Sequence, residues 1–523
     1  MMLVKIHKDV ALRYLLLLLI PFFLFAHPFT VATYNVQNLF DAVRNGTEYE
    51  EFIPGRHGWS ERMAQVKLDR TAEVICDIDA DIIGLQEVEN EAVFEALRRR
   101  LARVGCPYRY GVITHKRGAP IQLALLSRFP IVRSSEIEVS YAPRVRNILE
   151  VTVRVEGDPL TLFINHWKSK SRKGYESKRI AYAKALEKRL NKMPASKEYI
   201  ILGDLNTNYD AHLTLPERLN DTGGRTGLND LLQTAKGDDL LSVEEVRCTK
   251  GAHYDLWQEL PFSKRWSHKY YGRKSTLDHI LLPASMFDGR GIDYVDGSFG
   301  VFKRSYLFTT KGYINSWQIK AGKHTGRGYS DHLPIVATFD TKAYIQTQKI
   351  KQHKPVEDTI ETLYQKEKLD SPIILKDAVV VLKRGRYAVI KQNPNGRGIF
   401  VYGAAEGLEE ERRYDLQVQE IHTYKGLKEI TAMVRLKERG EARIAEYYGG
   451  LERLRQNEVV ADIVGTYKRG YLYTKKTKIP LYFKNRRISP KEGSKLKISI
   501  AHIGYYKRLQ LVVYSRKDFT ILE

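Results

Sequence analysis

Between residues 29 and 340, short runs rich in Val, Ile, Leu and Phe alternate with charged stretches of helical period, the rhythm of mixed α/β sequence. Strands are predicted at FTVATYNV, DIIGLQEV, LALLSRFPIV, LEVTVRV, LTLFINHW, YIILGDLN, LDHILLP and PIVATF, with amphipathic helices over residues 62–77, 92–104 and 177–190. A polar, charge-rich stretch over residues 341–369 holds Pro355 and few large aliphatics, and reads as a linker with room for a short helix. From about Ser371 to the end, β-type sequence with Gly-punctuated turns takes over.

This second region contains a weak internal repeat. YDLQVQEIHTYKGLKEITAM (414–433) resembles SKLKISIAHIGYYKRLQLVVY (494–514): a hydrophobic strand ends in His, a short turn carries Tyr-Lys, and an apolar strand returns. Each half also has an upstream strand, GIFVY (398–402) or PLYF (480–483). A repeat of this size fits a small five-stranded barrel, so two tandem oligonucleotide/oligosaccharide-binding (OB) folds are expected. Two unrelated hairpins of similar sequence are the alternative. The resulting division is an export signal over 1–26, an α/β domain over 27–340, a linker over 341–370, and barrels over 371–448 and 449–523.

The signal is read from Lys5, Lys8 and Arg13 ahead of an apolar run over residues 14–26, too short to span a bilayer comfortably. Cleavage after Ala26 is imperfect because Leu24 stands where a small residue is preferred, and an uncleaved anchor is the competing reading. Export, to periplasm or outside the cell, is the expectation. Three cysteines, Cys76, Cys106 and Cys248, form no metal-binding cluster and allow one disulfide and one free thiol, with the pairing open. Lys and Arg outnumber Asp and Glu by 85 to 62, a formal charge of +23, which favours a polyanionic partner: nucleic acid or an anionic membrane surface.

Polar residues gather where the predicted strands end: Asn35 in TYNVQNLF, Glu87 in GLQEVEN, His166 in INHWKSK, Asp204 and Asn206 in LGDLNTN, Asp278 in STLDHILLP, and Asp331-His332 in YSDHLPI. Each has an ordinary explanation alone: a turn amide, a helix-start carboxylate, a strand-edge histidine, an Asx turn. Together they supply oxygen ligands for a hard cation and imidazoles for proton transfer, the groups that phosphodiester hydrolysis requires.

In these motifs and their order, residues 29–340 resemble the endonuclease/exonuclease/phosphatase family, whose DNase I-like fold implies a four-layer α/β sandwich. The resemblance implies a divalent cation, Mg²⁺ with Mn²⁺ or Ca²⁺ as alternatives, held by Glu87, Asn35 and Asp331, with Asp204 and Asn206 added according to metal number. It implies catalytic roles for His166, Asp204, Asn206, Asp278 and His332: Asp278 orients His332, which acts as base or as electrophilic partner to the phosphate. His166 is placed to protonate the leaving oxygen, although which histidine is acid and which is base depends on the substrate's binding direction, and Asp204 and Asn206 orient water or phosphate. Arg146 resembles a family arginine on the substrate phosphate, with Lys168, Lys170 and Asn206 beside it.

Because this family acts on several phosphoesters, the C-terminal region has to help choose. Residues 455–523 carry 16 Lys/Arg against 5 Asp/Glu, interleaved with Tyr467, Tyr471, Tyr473, Tyr482, Phe483, Tyr505 and Tyr506. Cationic grooves with aromatic faces suit single strands. The expectation is a nonspecific, exported nuclease acting on DNA. Two rivals are a secreted sphingomyelinase-like phospholipid phosphodiesterase and a non-catalytic DNA- or polysaccharide-binding protein.

Overall fold

The computed structural model describes residues 28–341 and 353–522, apart from 172, 271 and 272. The apolar run expected to be an export signal lies outside the described residues. Three helices form over Glu61–Ile78, Glu91–Arg103 and Glu176–Leu190, within one residue of the predicted bounds at each end. Ser60 and Asn90 cap the first two, each accepting a hydrogen bond from the backbone N–H three residues on.

The strands form two mixed sheets. The first runs Asp293–Tyr294, Ile335–Asp340, Phe29–Leu39, Ile82–Val88, Gln122–Ser127, Tyr110–Ile113, with Phe29–Leu39 and Ile82–Val88 parallel at its centre. The second runs Tyr254–Asp255, Asp278–Leu282, Tyr199–Asp204, Asp158–His166, Ile148–Val155, Ile131–Ile137, with Asp158–His166 and Tyr199–Asp204 parallel. Val31, Ile82, Leu123 and Leu125 of the first sheet pack face to face with Leu162, Ile164, Ile200, Leu202 and Ile280 of the second. The helices Glu61–Ile78 and Glu91–Arg103 cover the outer face of the first sheet, and Glu176–Leu190 covers that of the second. This is the expected four-layer α/β sandwich. Both faces of each central strand are buried, which is why these strands read as continuous apolar runs and not as alternations.

The C-terminal region forms two closed five-stranded barrels. In the first, Ile373–Arg384, Tyr387–Lys391, Gly398–Val401, Arg412–Tyr424 and Leu427–Glu441 follow the order 1-2-3-5-4, and strand 4 closes on strand 1. Val459–Lys468, Tyr471–Tyr473, Lys478–Phe483, Lys495–Tyr505 and Leu509–Val513 repeat that order in the second, again with strands 3 and 5 parallel. The repeated sequence motif falls on the strand 4–5 hairpin of each barrel. Helix Ile360–Gln365 lies ahead of the first barrel, and Ile360, Leu363 and Leu369 enter its core.

The barrels do not hang free. Phe400 of the first stacks on His502 of the second, ring centroids 4.7 Å apart, within a shared cluster that includes Val381, Val389 and Tyr447. The first barrel reaches the α/β domain through Gln419, which donates to Asp210 at 2.8 Å, and Glu420, paired with Lys274 at 2.5 Å. Cys76 and Cys106 form a disulfide, while Cys248 is a free, exposed thiol. Among the described residues, no helix is long and apolar enough to cross a membrane.

Candidate active site

One end of the sandwich gathers the polar residues. Asn35, Glu87, His166 and Asp204 lie at or near the carboxyl ends of four strands. Asp278 opens the antiparallel neighbour of Tyr199–Asp204, and Asp331-His332 lies just ahead of Ile335–Asp340. Direct register sets Asp204 opposite both Asp278 and His166. The backbone is specialised here: Glu87 and Asn206 take φ of 69° and 51°. Gly203 takes φ 125°, and a Cβ on it would run into the Asn165 carbonyl, so the residue before Asp204 has to be glycine.

Around Asp204 the groups interlock. The Asn35 side-chain amide donates to Glu87 Oε1 and to Asp204 Oδ2, both at 3.1 Å, and the Asn38 N–H donates to Glu87 Oε2 at 2.9 Å. His166 Nε2 lies 3.5 Å from Asp204 Oδ2 and 3.7 Å from Glu87 Oε1. His332 Nε2 lies 3.9 Å from the same Asp204 oxygen, and its Nδ1 donates to Asp278 Oδ2 at 2.8 Å. Ser267 Oγ donates to that Asp278 oxygen at 2.5 Å. The Asn206 N–H donates to Asp204 Oδ1 at 2.8 Å, and its side chain donates to the Trp167 carbonyl at 3.2 Å.

Burial and charge push the two histidines apart. Burial opposes a charge on His332, but the carboxylates of Asp278, Asp204 and Asp331 outweigh it and raise the ring well above the usual imidazole value. His166 moves well below that value through burial, reinforced by Arg146, His332 and Lys168. Burial raises Asp204 to about 7, with Asp278 and Glu87 adding to the rise and His332 opposing it. Glu87 is raised by burial and by Asp331. The two imidazoles, one raised and one lowered, thus face the same oxygen of Asp204, the kind of split environment from which an acid and a base can be made.

The donor set suits a hard divalent cation. Glu87, Asp204 and Asp331 are carboxylates crowded into a largely buried site, and burial, with neighbouring carboxylates adding to it, raises Glu87 and Asp204 above their normal range. Asp204, Asp278 and His332 bring one ligand atom each within 4.8 Å of one another, as do His268, Asp331 and His332. Glu87 and Asn35 stand on the His166 side of Asp204.

Arg146 donates through Nε and Nη2 to the His166 and Trp167 carbonyls at 3.1 and 2.9 Å, so it fixes the loop carrying His166 as well as lending positive charge to the site. Lys168 is half-buried and contacts Ser169 and Ser171, while burial lowers Lys170 to about 8.

Sequence reasoning did not single out His268, Ser267 or Lys67. His268 forms a β-bridge with His332, their rings 5.0 Å apart. Lys67, fully buried, donates to the carbonyls of Val36 and Tyr329 at 2.6 and 2.7 Å, tying the segment after Asn35 to the loop ahead of Asp331. Its signal was a lysine one residue from Leu68 and four from Thr71, on the buried stripe of its helix.

The model of the endonuclease/exonuclease/phosphatase family matches residues 30–341. The chain belongs to this family. It is accordingly a family phosphodiesterase with a buried acidic–histidine site. Among solved structures, D. rerio TDP2 complexed with single strand DNA product is 15% identical, covering 60% of this chain and 98% of that one with a TM-score of 0.38. An endonuclease/exonuclease/phosphatase family protein from Bacteroides thetaiotaomicron is 14% identical, covering 61% and 99%, with a TM-score of 0.38. No curated protein matches the chain.

Proposed function

We propose that the protein is an exported, metal-dependent nuclease that hydrolyses phosphodiester bonds of nucleic acid, DNA foremost, without base specificity. The observation that carries the catalytic part is the buried cluster in which His332 Nε2 and His166 Nε2 both face Asp204 Oδ2, at 3.9 and 3.5 Å, with His332 Nδ1 bonded to Asp278. Asp204, poised at about 7, accepts a proton from the attacking water, which Asn206 helps to orient. As the water oxygen bonds to phosphorus, the bond to the leaving oxygen breaks and His332, held protonated by Asp278, donates the proton that oxygen needs. Proton return from Asp204 to His332 Nε2, 3.9 Å away, resets the site. His166 stays neutral and Arg146 supplies fixed positive charge beside the phosphate. Glu87, Asn35 and Asp331 would hold a divalent cation, which when bound would supply Lewis-acid polarisation of the phosphate.

A nucleic acid substrate is supported by the +23 formal charge, which favours a polyphosphate over a single lipid headgroup. Export is supported by the N-terminal apolar run and by the Cys76–Cys106 disulfide, a bond that persists in oxidising compartments. The test is incubation of the purified protein with supercoiled plasmid, single-stranded DNA, RNA and sphingomyelin, in Mg²⁺, Mn²⁺, Ca²⁺ or EDTA, beside His332→Ala. Nicking of plasmid that EDTA and His332→Ala both abolish is expected. Intact nucleic acid with cleaved sphingomyelin moves the assignment to the lipid enzyme, and no cleavage of any substrate moves it to a binding protein.

A further inference from the structure

The two barrels share one strand order but not one surface. In the first, the outward side chains of strands 2 and 3 are covered: Val389 and Phe400 are buried, Phe400 against His502, with Tyr387 6.2 Å from Tyr514 of the second barrel. In the second barrel the corresponding face is open. Leu472, Ile479, Leu481 and Phe483 point inward to its core, so Tyr471, Tyr473, Lys478 and Tyr482 point out. Tyr473 and Tyr482 are 40% and 42% exposed.

Charge divides the barrels the same way. Residues 459–522 hold 15 Lys/Arg and 3 Asp/Glu, against 13 and 10 over residues 373–441. Two barrels of one strand order are thus nearly balanced in one case and strongly cationic in the other. On the open face the cations stand beside the rings: Arg508 lies 5.1 Å and Lys478 5.7 Å from the Tyr471 centroid, and Arg508 donates to the Tyr471 hydroxyl at 2.6 Å. Tyr473 pairs with Lys478, Tyr471 with Pro480, and Tyr482 follows two residues on, so the aromatics step along the face at about 6.7 Å per rung. Tyr506 in the strand 4–5 turn, 45% exposed, instead meets Lys425 of the first barrel, 4.7 Å from its ring centroid.

We propose that this face of the second barrel binds single-stranded nucleic acid, with bases stacking on Tyr473 and Tyr482 and phosphates held by Lys478 and Arg508. Aromatic faces alternating with cations on an open sheet fit a polymer of flat rings on an anionic backbone. Barrels of this kind present strands 2 and 3 to oligonucleotides. The first barrel acts as the mount, its own face consumed by the junction and its Gln419 and Glu420 anchored to the α/β domain. The inference rests on nucleic acid as the substrate class but not on the catalytic assignment.

The experiment measures anisotropy of a fluorescein-labelled 15-residue oligo-dT with the full-length protein in EDTA, across a salt series, for wild type, Tyr473→Ala/Tyr482→Ala and Lys478→Gln/Arg508→Gln. Removing both stacking rings is expected to weaken binding at least about 30-fold at fixed salt while leaving the salt slope unchanged. The charge variant is expected to flatten the slope by about 0.7 for each phosphate it no longer neutralises. These side chains are exposed, so the thermal midpoint should stay at the wild-type value, and hydrolysis of bis(p-nitrophenyl) phosphate in Mg²⁺ should stay unchanged. Affinity within threefold of wild type in both variants overturns the proposal even if plasmid is cleaved. Tight heparin binding without oligo-dT binding overturns it in favour of a polysaccharide partner. Oligo-dT binding that the variants lose, in a protein that cleaves no nucleic acid, upholds the surface and removes the nuclease.

Discussion

Asp278→Asn is the sharpest probe of the acid–base device. Asp278 Oδ2 accepts from His332 Nδ1 at 2.8 Å, and Asp204 Oδ2 lies 3.9 Å from the other ring nitrogen. At an effective dielectric of about 20 these contacts correspond to gross attractions of roughly 6 and 4 kcal/mol, so Asp278 is the larger of the two in favouring the protonated His332. Asparagine is isosteric and can still accept from Ser267 Oγ, so the fold should persist while the charge is removed. The His332 proton is then held less tightly and its tautomer is no longer enforced. We expect kcat to fall about 10²–10⁴-fold with little change in KM, and the alkaline limb of the pH–rate profile to move to lower pH. The sign for stability agrees. A histidine raised in the folded state contributes stability present below the unfolded value of about 6.5 and lost as pH rises through the folded value, and the variant should lose that contribution near neutrality. The assay is bis(p-nitrophenyl) phosphate hydrolysis in Mg²⁺ from pH 5 to 10, with thermal melts alongside. An unmoved profile with less than threefold loss of kcat would refute the reasoning.

Other consequences can be measured directly. Lys67→Met leaves the Val36 and Tyr329 carbonyls without their buried donor and should cost about 2–4 kcal/mol in the melt, while raising the Mg²⁺ concentration needed for half-maximal rate. Reducing Cys76–Cys106, or replacing both with serine, opens a link between residues 30 apart and should cost about 3–4 kcal/mol in denaturant unfolding of the α/β domain. His502 is held neutral by burial, down to about 3, with Asn457 and Tyr514 at its ring nitrogens. Its contribution is intact above the unfolded value near 6.5 and is lost as pH falls towards 3, roughly 3 kcal/mol by pH 4.5. Calorimetry of the C-terminal transition at pH 7.5 and 4.5 should show this acid loss in wild type and a smaller one in His502→Gln.

Much of this molecule is legible in its sequence because local chemistry sets it. Apolar runs too continuous for one-sided burial mark the central strands, and helical periodicity bounds the helices to within a residue. The repeated strand–His–turn–Tyr-Lys pattern marks two copies of one hairpin, and each became strands 4 and 5 of a barrel. Asn35, Glu87, His166, Asp204, Asp278 and His332 stand out because each is a polar group in or beside an apolar strand, and one end of the two-sheet sandwich brings these strand ends together.

Tertiary structure alone decided the rest, because it concerns which groups share a dry space. No spacing in the chain announces that His332 lies between Asp278 and Asp204 while His166 sits beside Arg146, yet that arrangement drives one imidazole towards its charged form and the other towards its neutral form. Lys67 and His268 are an ordinary helix lysine and a hairpin histidine until folding sets them against residues far along the chain. The Tyr and Lys content of both barrels is plain from composition. Only packing buries one strand 2–3 face in the junction and leaves the other open to solvent.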